Sequence, residues 1–552
     1  MKHRYAVLFL LAVAMGFSQT QPPATQDAGK FGSIGGTVRD AGTDAPIPDA
    51  DLLVSGGLPR PEKLKADAQG QYIFRGLKAG EYRVLANAAG AHGPGPSATR
   101  AVTLAAGQDL ESVDIRLEAF GKISGKVVDD NGEPVFGVSV FLVAREYSLG
   151  ALRYVFAAAA DADGRGSYSM SVLPGRAFLL YAWKVTRQLK PVSDAPADVK
   201  LRKRAAAPTY YPSSDSIEGA APVTLRPGEA REGIDIRMLR SPSYCIDGEA
   251  PSIGVGNMLF MIGPARPTSG MSGDGGLFIG LPSGKVGADH KLRICDLSPG
   301  DYQLTLTDLS NGPGGAPPYF GSAEFTIKDQ DVHRIAVDPR IPVKVPGEVV
   351  WDGTASAEPM QSKLSFLLQP LTRSWLGEET NAQSSIPGEF LFPGLLVDGY
   401  RVTIPGMPRD LYVRDVTYGG ATILHRPLQP GSGVGEAHLR VVLGRDGGFL
   451  KAKVADKDGN PVSDCFVILM PADALTEAAL ADEMIVGQPD QRGTYSSRAL
   501  APGKYYALVS LRPVNKSPED MIKLLQARSH AEAIEIGAGA TLSVTLAPGS
   551  AE

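Results

Sequence analysis

The feature that most limits what this chain can fold into is a phrase it uses more than once. "DAQGQYIFRGLKAGEYRVLA" (67–86) and "DQRGTYSSRALAPGKYYALV" (490–509) agree without a gap at eight of twenty positions. Asp67, Gly70, Tyr72, Arg75, Leu77, Gly80, Tyr82 and Leu85 return as Asp490, Gly493, Tyr495, Arg498, Leu500, Gly503, Tyr505 and Leu508. Looser copies read "GRGSYSMSVLPGRAF" (164–178), "HKLRICDLSPGDY" (290–302) and "IPGEFLFPGLLVDGY" (386–400). In every copy an apolar or aromatic residue stands five positions before a Leu: Tyr72, Tyr168, Leu292, Phe390 and Tyr495. In four copies another stands three before it: Phe74, Met170, Ile294 and Phe392. Alternation at period two is one face of a half-buried strand. The Leu leads into a Gly turn, with Pro174, Pro299 or Pro502 just ahead in three copies, and an aromatic residue then opens another strand. Gly accepts positive φ there and Pro pre-sets its own φ. The spacing predicts a β-hairpin.

Each phrase has a partner upstream. "GSIGGTVRDAGTDAPIPDADLLV" (32–54), "GKISGKVVDDNGEPVFGVSVFLV" (121–143) and "GFLKAKVADKDGNPVSDCFVILM" (448–470) place an Asp/Asn/Gly turn and a Pro between two strands. Segments 241–250 and 341–353 are degraded versions, and short alternating strands such as "AVTLAAGQDLESVDIRL" (101–117) close the units. With 64 Gly and 43 Pro spread along 552 residues, turns between short strands are frequent throughout. The predicted fold class is therefore all-β: five tandem antiparallel β-sandwiches of six or seven strands each. They cover 31–119, 120–240, 241–340, 341–445 and 446–552, after a signal peptide at 1–18 and a linker at 19–30. Connections as short as 118–120 favour a semi-rigid, monomeric rod. The fifth unit carries helical signals in "KSPEDMIKLLQARSH", where Ser517 can cap, and in "DALTEAALADEM" (473–484); both read as lids over open sandwich ends.

The pairing of "G-x-V-x-D-x-x-G-x-P-V" with "D-x-x-G-x-Y-x-x-x-x-L-x-P-G-x-Y" resembles carboxypeptidase regulatory-like domains, which are transthyretin-like β-sandwiches. The resemblance is closest in the first, second and fifth units, and the third and fourth are divergent. It implies an exported, non-catalytic accessory role and maps no functional residue onto this chain.

The residues agree on absent chemistry. None of the seven His is followed three positions later by Glu, so the His-x-x-Glu zinc motif is missing. Neither a Gly-x-Ser-x-Gly elbow nor a phosphate loop occurs. No catalytic residue, metal ligand or cofactor is assigned. "DDNGEP" (129–134) and "DADGRG" (161–166) cluster oxygen ligands, but Asn-Gly and Asp-Gly are also what tight turns use. Net charge −5 and a pI near 5.9 give no reason to expect nucleic acid.

Lys2 and Arg4 precede the apolar run Tyr5 to Met15, the pattern of an export signal too short for a stable membrane span. The expected mature chain starts near residue 19, has no transmembrane anchor, and is periplasmic or released. Cys245 and Cys295 border strands of one unit and can pair in an exported protein; Cys465 reads as a small buried apolar residue. Tyr210 and Tyr211 in "APTYYPSSDS", Tyr319 and Phe320 in "APPYFGSAEF", and Trp375 in "TRSWLGEE" can stack on sugar rings or on a partner's aromatic face. The alternative is that one of each pair packs inward. The function expected is an envelope scaffold or adhesion protein that contacts an envelope protein or polysaccharide. The alternative is a carbohydrate-binding accessory protein using the aromatic loops of units two to four.

Overall fold

The computed structural model describes residues 30–58, 60–88, 92–93, 98–184, 204–249, 258–264, 268–269, 283–286, 290–308, 320–337, 343–352, 360–371, 380–395, 399–431 and 437–549. The signal-peptide region and nearly all of the linker lie outside them. Strands dominate, and they pair into facing sheets. In the first sandwich, Gly32–Asp40 runs antiparallel to Gln71–Leu77 and parallel to Ile115–Ala119. The opposite sheet orders Glu62–Lys65, Asp51–Ser55, Gly80–Asn87 and Thr99–Leu104. Ile34, Val38, Leu52, Phe74, Leu77 and Val84 meet between the two. The same plan recurs around Gly121–Val128, Tyr244–Glu249, Val343–Trp351 and Phe449–Val454. Each of these pairs in parallel with its closing strand, for example Val127 with Ile236, Val349 with Val441 and Ala452 with Val544. Among the described residues the sheets are thus antiparallel apart from the parallel seam that joins the start of each sandwich to its end and a short parallel pairing of Tyr154 and Val155 with Thr268 and Ser269.

The repeated phrase is not a hairpin. Gln71–Leu77 pairs with the first strand of its unit, whereas Gly80–Asn87 pairs with Asp51–Ser55 and Thr99–Leu104 in the facing sheet. The Leu–Gly–Tyr corner carries the chain from one layer to the other. The reason lies in the side chains: Tyr72 and Phe74 before the corner and Tyr82 and Val84 after it enter one core from opposite sides. The aromatic hydroxyl pins the crossing. Tyr82 donates to the carbonyl of Lys78 at 2.7 Å, Tyr302 to Ser298 at 2.8 Å and Tyr505 to Ala501 at 2.8 Å. Each bond reaches four residues back, as in the tyrosine corners of other sandwiches.

The Asp and Gly that open the phrase close a local turn. Asp67, Asp163 and Asp490 each accept on Oδ1 from the backbone N–H two and four residues ahead, at 2.8–3.0 Å. Asp129 and Asp456, in the upstream Asn/Asp-Gly turns, do the same. Gly70 shows why only glycine serves at the turn's fourth position: φ is +72°, and a Cβ would stand 2.9 Å from the Val38 carbonyl oxygen. Val38 in turn donates to the Gly70 carbonyl at 2.8 Å, so the upstream motif and the phrase are hydrogen-bonded neighbours.

Two sheets are covered on both faces. Val138–Ser148 begins with a run that is apolar but for Ser139, and its first seven residues are all buried. Val140, Leu142, Phe178 and Leu180 face the second sandwich's own core. Phe141, Val143, Leu179, Tyr181 and Trp183 face outward into one cluster with Tyr244, Ile246, Phe260 and Leu304 of the third sandwich. The second sandwich's outer face is therefore a wall of the third sandwich's core. In the fifth sandwich, Val467 and Leu469 point inward while Ile468 and Met470 lie under α1 (Glu477–Glu483) and α2 (Pro518–Ala527). Both helices form at the predicted places, capped by Thr476 and Ser517. They cover a sheet face rather than a sandwich end, because alternate residues of Phe466–Pro471 supply an apolar outer surface.

The expected rod is also corrected. Arg100 Nη2 reaches Asp464 Oδ1 at 2.7 Å across 364 residues of sequence, and Tyr147 donates its N–H to the Lys516 carbonyl at 2.8 Å. The fifth sandwich returns to the first and second. The connection into it, "GRDGG" (444–448), is a packed joint. A Cβ at Gly444 or Gly447 would run into Tyr412 or Ala499, and one at Gly448 into the Gly537 carbonyl. Short links fix an angle at each joint, and here the angles do not add up to a straight line.

Candidate interaction surface

The groups that sequence reasoning did not single out are those the fold brings together where the chain closes. On the fifth sandwich, Asp464 precedes the strand Phe466–Pro471 and points at the first sandwich. Its Oδ1 takes Arg100, and its Oδ2 lies 3.2 Å from Arg116 Nε. Arg100 is 8% exposed and also donates Nε to the Asp114 carbonyl at 3.0 Å, while its Nη1 has no partner. Beside this cluster Gln491 acts as a substitute strand. Its Oε1 accepts from Thr103 N–H at 3.2 Å, and its Nε2 donates to the Thr103 carbonyl at 2.8 Å. Thr99–Leu104 is the outer strand of its sheet, and an open edge is a template for unwanted pairing unless covered.

The second sandwich contributes a long arm. Val138–Ser148 and Ala151–Asp161, eleven residues each, pair at ten positions, and their tip, Leu149–Gly150, has φ of +51° and +74°. Such a two-residue turn leaves its N–H groups facing outward. Asp482 at the end of α1 takes both, at 2.8 and 2.6 Å. Arg145 meets Glu519 at 3.0 Å, Asn515 donates to the Gly175 carbonyl, and Tyr147 packs against the helix pair. Arg401 of the fourth sandwich adds a hydrogen bond to Ser148, and Arg409 pairs with Glu81 of the first.

Of the aromatic residues named from sequence, the two whose side chains are described do not form one face. Tyr210 and Tyr211 are half-buried and diverge: Tyr210 lies 5.5 Å from the Tyr181 ring in the cluster shared with the third sandwich, and Tyr211 packs on the second sandwich's core. Tyr319, Trp375 and the Phe320 side chain fall outside the described residues, although Phe320 begins the strand Phe320–Ile327. Cys245 and Cys295 form a disulfide across paired strands, closing a sequence separation of 50 residues. Cys465 is fully buried, and burial, with Asp464 beside it, pushes its thiol up to about 12. At the two calcium-like turns one carboxylate oxygen is already saturated. Among the described residues no group of three His, Cys, Asp or Glu side chains is placed to hold a metal.

With this geometry in place, comparison with known proteins identifies one segment. Residues 33–118 match the carboxypeptidase regulatory-like domain. That match spans the first sandwich, whose Asp turn, layer-crossing corner and closing strand define the plan the later sandwiches repeat. No curated protein matches the chain. Among solved structures, the Bacillus anthracis TIE protein is 14% identical, with 56% of this chain and 51% of that one covered and a TM-score of 0.18. This chain therefore spans about half of that protein. The minor pilin GBS52 of Streptococcus agalactiae is 13% identical over 41% of this chain and 100% of that one, at a TM-score of 0.23. The shaft pilin spaA of Lactobacillus rhamnosus GG is 11% identical over 39% and 97%, at 0.21. At such identities and superpositions these likenesses say nothing about what this chain does. Among the described residues no helix is long and apolar enough to cross a membrane.

Proposed function

We infer that this chain is an exported, non-catalytic scaffold of the bacterial cell envelope, acting by surface contact with an envelope protein or polysaccharide. In this reading its five units, bounded near 119, 240, 340 and 445, serve as spacers of fixed relative orientation. The observation that supports it is the joining of the sandwiches. An apolar core is shared between the second and third, glycines at 444–448 leave no slack before the fifth, and charged contacts close the ends. A polysaccharide partner would have to be read by surfaces other than the Tyr210–Tyr211 faces, which packing already covers in part. Cell fractionation with in-cell cross-linking tests the reading. Recovery in the envelope or medium, cross-linked to an envelope component, is the expected result. A cytosolic chain, or one that turns over a substrate, would overturn it.

A further inference from the structure

The contacts between sandwiches are of two kinds. The second and third share a cluster of large apolar side chains, including Phe141, Tyr181, Trp183, Phe260 and Leu304. The fifth touches the first through Arg100–Asp464, Arg116–Asp464, Gln491–Thr103 and Arg492–Gln108, all polar groups. It touches the second through Asp482 on two backbone N–H groups, Glu519 on Arg145 and the Lys516 carbonyl on Tyr147 N–H, with only the Tyr147 ring adding apolar contact. In the ion pairs the fifth sandwich brings the carboxylates, Asp464 and Glu519, and the first two bring the guanidinium groups, Arg100, Arg116 and Arg145, while Gln491, Arg492 and Asn515 add hydrogen bonds donated from the fifth to neutral acceptors. Several of these charges are accessible, with Asp464 and Glu519 side chains 51% and 48% exposed. Accessible pairs are screened by salt, whereas apolar contacts are strengthened by it.

We propose that the fifth sandwich is an electrostatic clasp, which closes the chain onto its own first two sandwiches at low ionic strength and releases them when the charges are screened. Opening uncovers a specific surface. The Thr99–Leu104 edge loses the Gln491 amide that occupies Thr103, Arg100 and Arg116 lose their shared carboxylate, and the Leu149–Gly150 turn exposes two N–H groups. The second–third pair stays welded, while the fourth sandwich's contacts with the first two, Arg401 on Ser148 and Arg409 on Glu81, are polar and open together with those of the fifth. Closure is intramolecular and does not depend on protein concentration.

The test uses the full chain, followed by small-angle scattering and by amide hydrogen exchange. Raising NaCl from about 0.05 M to about 1 M shortens the screening length to about 3 Å. The maximum dimension is expected to grow by about the length of one sandwich, roughly 30 Å for strands rising about 3.3 Å per residue. Exchange at the Thr103, Leu149 and Gly150 amides should accelerate more than tenfold, while that at Phe260 and Leu304 stays protected. The double variant Asp464→Ala, Asp482→Ala should show the open dimension and the fast exchange already at low salt. A second pair guards against misfolding: Glu519→Arg should open the chain at a lower salt concentration than the parent needs, and adding Arg145→Glu, its partner at 3.0 Å, should restore the parent's salt dependence. Dimensions and exchange rates that ignore salt, or variants that scatter like the parent, would overturn the clasp and leave the Tyr147 packing as what holds the fifth sandwich in place.

Discussion

Replacing Phe141 with Ala separates a chain of independent beads from the layered stack seen here. Phe141 belongs to the second sandwich by sequence, yet its ring points away from that sandwich's core and is 3% exposed. It stacks on Tyr181 with centroids 4.9 Å apart and planes at 15°. On an isolated bead this outer position would face water, and truncation would change stability by no more than about 0.5 kcal/mol. As a wall of the third sandwich's core it should cost about 3–5 kcal/mol, the range for large aromatic truncation, of which the lost ring stack is about 0.5–1.5 kcal/mol. At about 1.4 kcal/mol per tenfold, that is a shift of roughly two to three and a half decades in the opening equilibrium. Denaturant melts give the total, and hydrogen exchange with peptide resolution gives its location. The expected result is faster exchange at 258–264 and 300–308, in the third sandwich, rather than confinement to the second. Phe178→Ala, on the inner face of the same sheet, is the control and should act first on the second sandwich. A cost below about 1 kcal/mol, or unchanged exchange in the third sandwich, would refute the shared wall.

Tyr82→Phe removes only the hydroxyl that bonds Lys78, and should cost about 1 kcal/mol in denaturant unfolding; an unchanged midpoint would deny the corner its anchoring role. Cys465, fully buried with its thiol pushed up to about 12, should resist a thiol reagent at pH 8 in the folded chain. One thiol should react after unfolding without reductant and three with it, since Cys245 and Cys295 are bonded; rapid labelling of the folded chain would contradict the burial. Backbone N–H groups hold the Asp163 and Asp456 carboxyls below their ordinary range. Their contribution is therefore present above the unfolded value of about 3.9 and is lost as pH falls through the lowered folded values. Melting temperature should drop below about pH 4, and Asp163→Ala should flatten that slope; a variant with the parent's acid profile would show that the turn carboxylate contributes nothing.

How much of this was legible in the sequence follows from which interactions leave a periodic trace. Alternation around Tyr72, Phe74, Phe390 and Phe392 revealed strands because each side chain has a fixed inside and outside. The same alternation did not reveal that the strands flanking the Leu–Gly–Tyr corner lie in opposite sheets, since a hairpin and a layer crossing both place apolar residues toward one core. The distinguishing mark was the turn itself. A tight hairpin favours two adjacent positive-φ residues, as at Leu149–Gly150, whereas "LKAGEY" supplies one Gly and a Tyr whose hydroxyl can reach back four residues.

The third layers were written more openly than they were read. "FVILM" breaks period two with a continuous apolar run and "VSVFLVA" with one interrupted only by Ser139, while "DLLVS" in the first sandwich keeps a face that is exposed or half-buried. A strand that is apolar on both sides must be covered on both sides. In one case the cover is the third sandwich, and in the other it is two helices. Sequence could therefore count the covered faces without naming the cover. The closing contacts leave no such trace, because Asp464, Asp482 and Gln491 are single polar residues in turns and at a helix end, indistinguishable by pattern from any solvated surface. Their partners lie 330 or more residues away, and only joint angles fixed by packed glycines bring them within hydrogen-bonding distance.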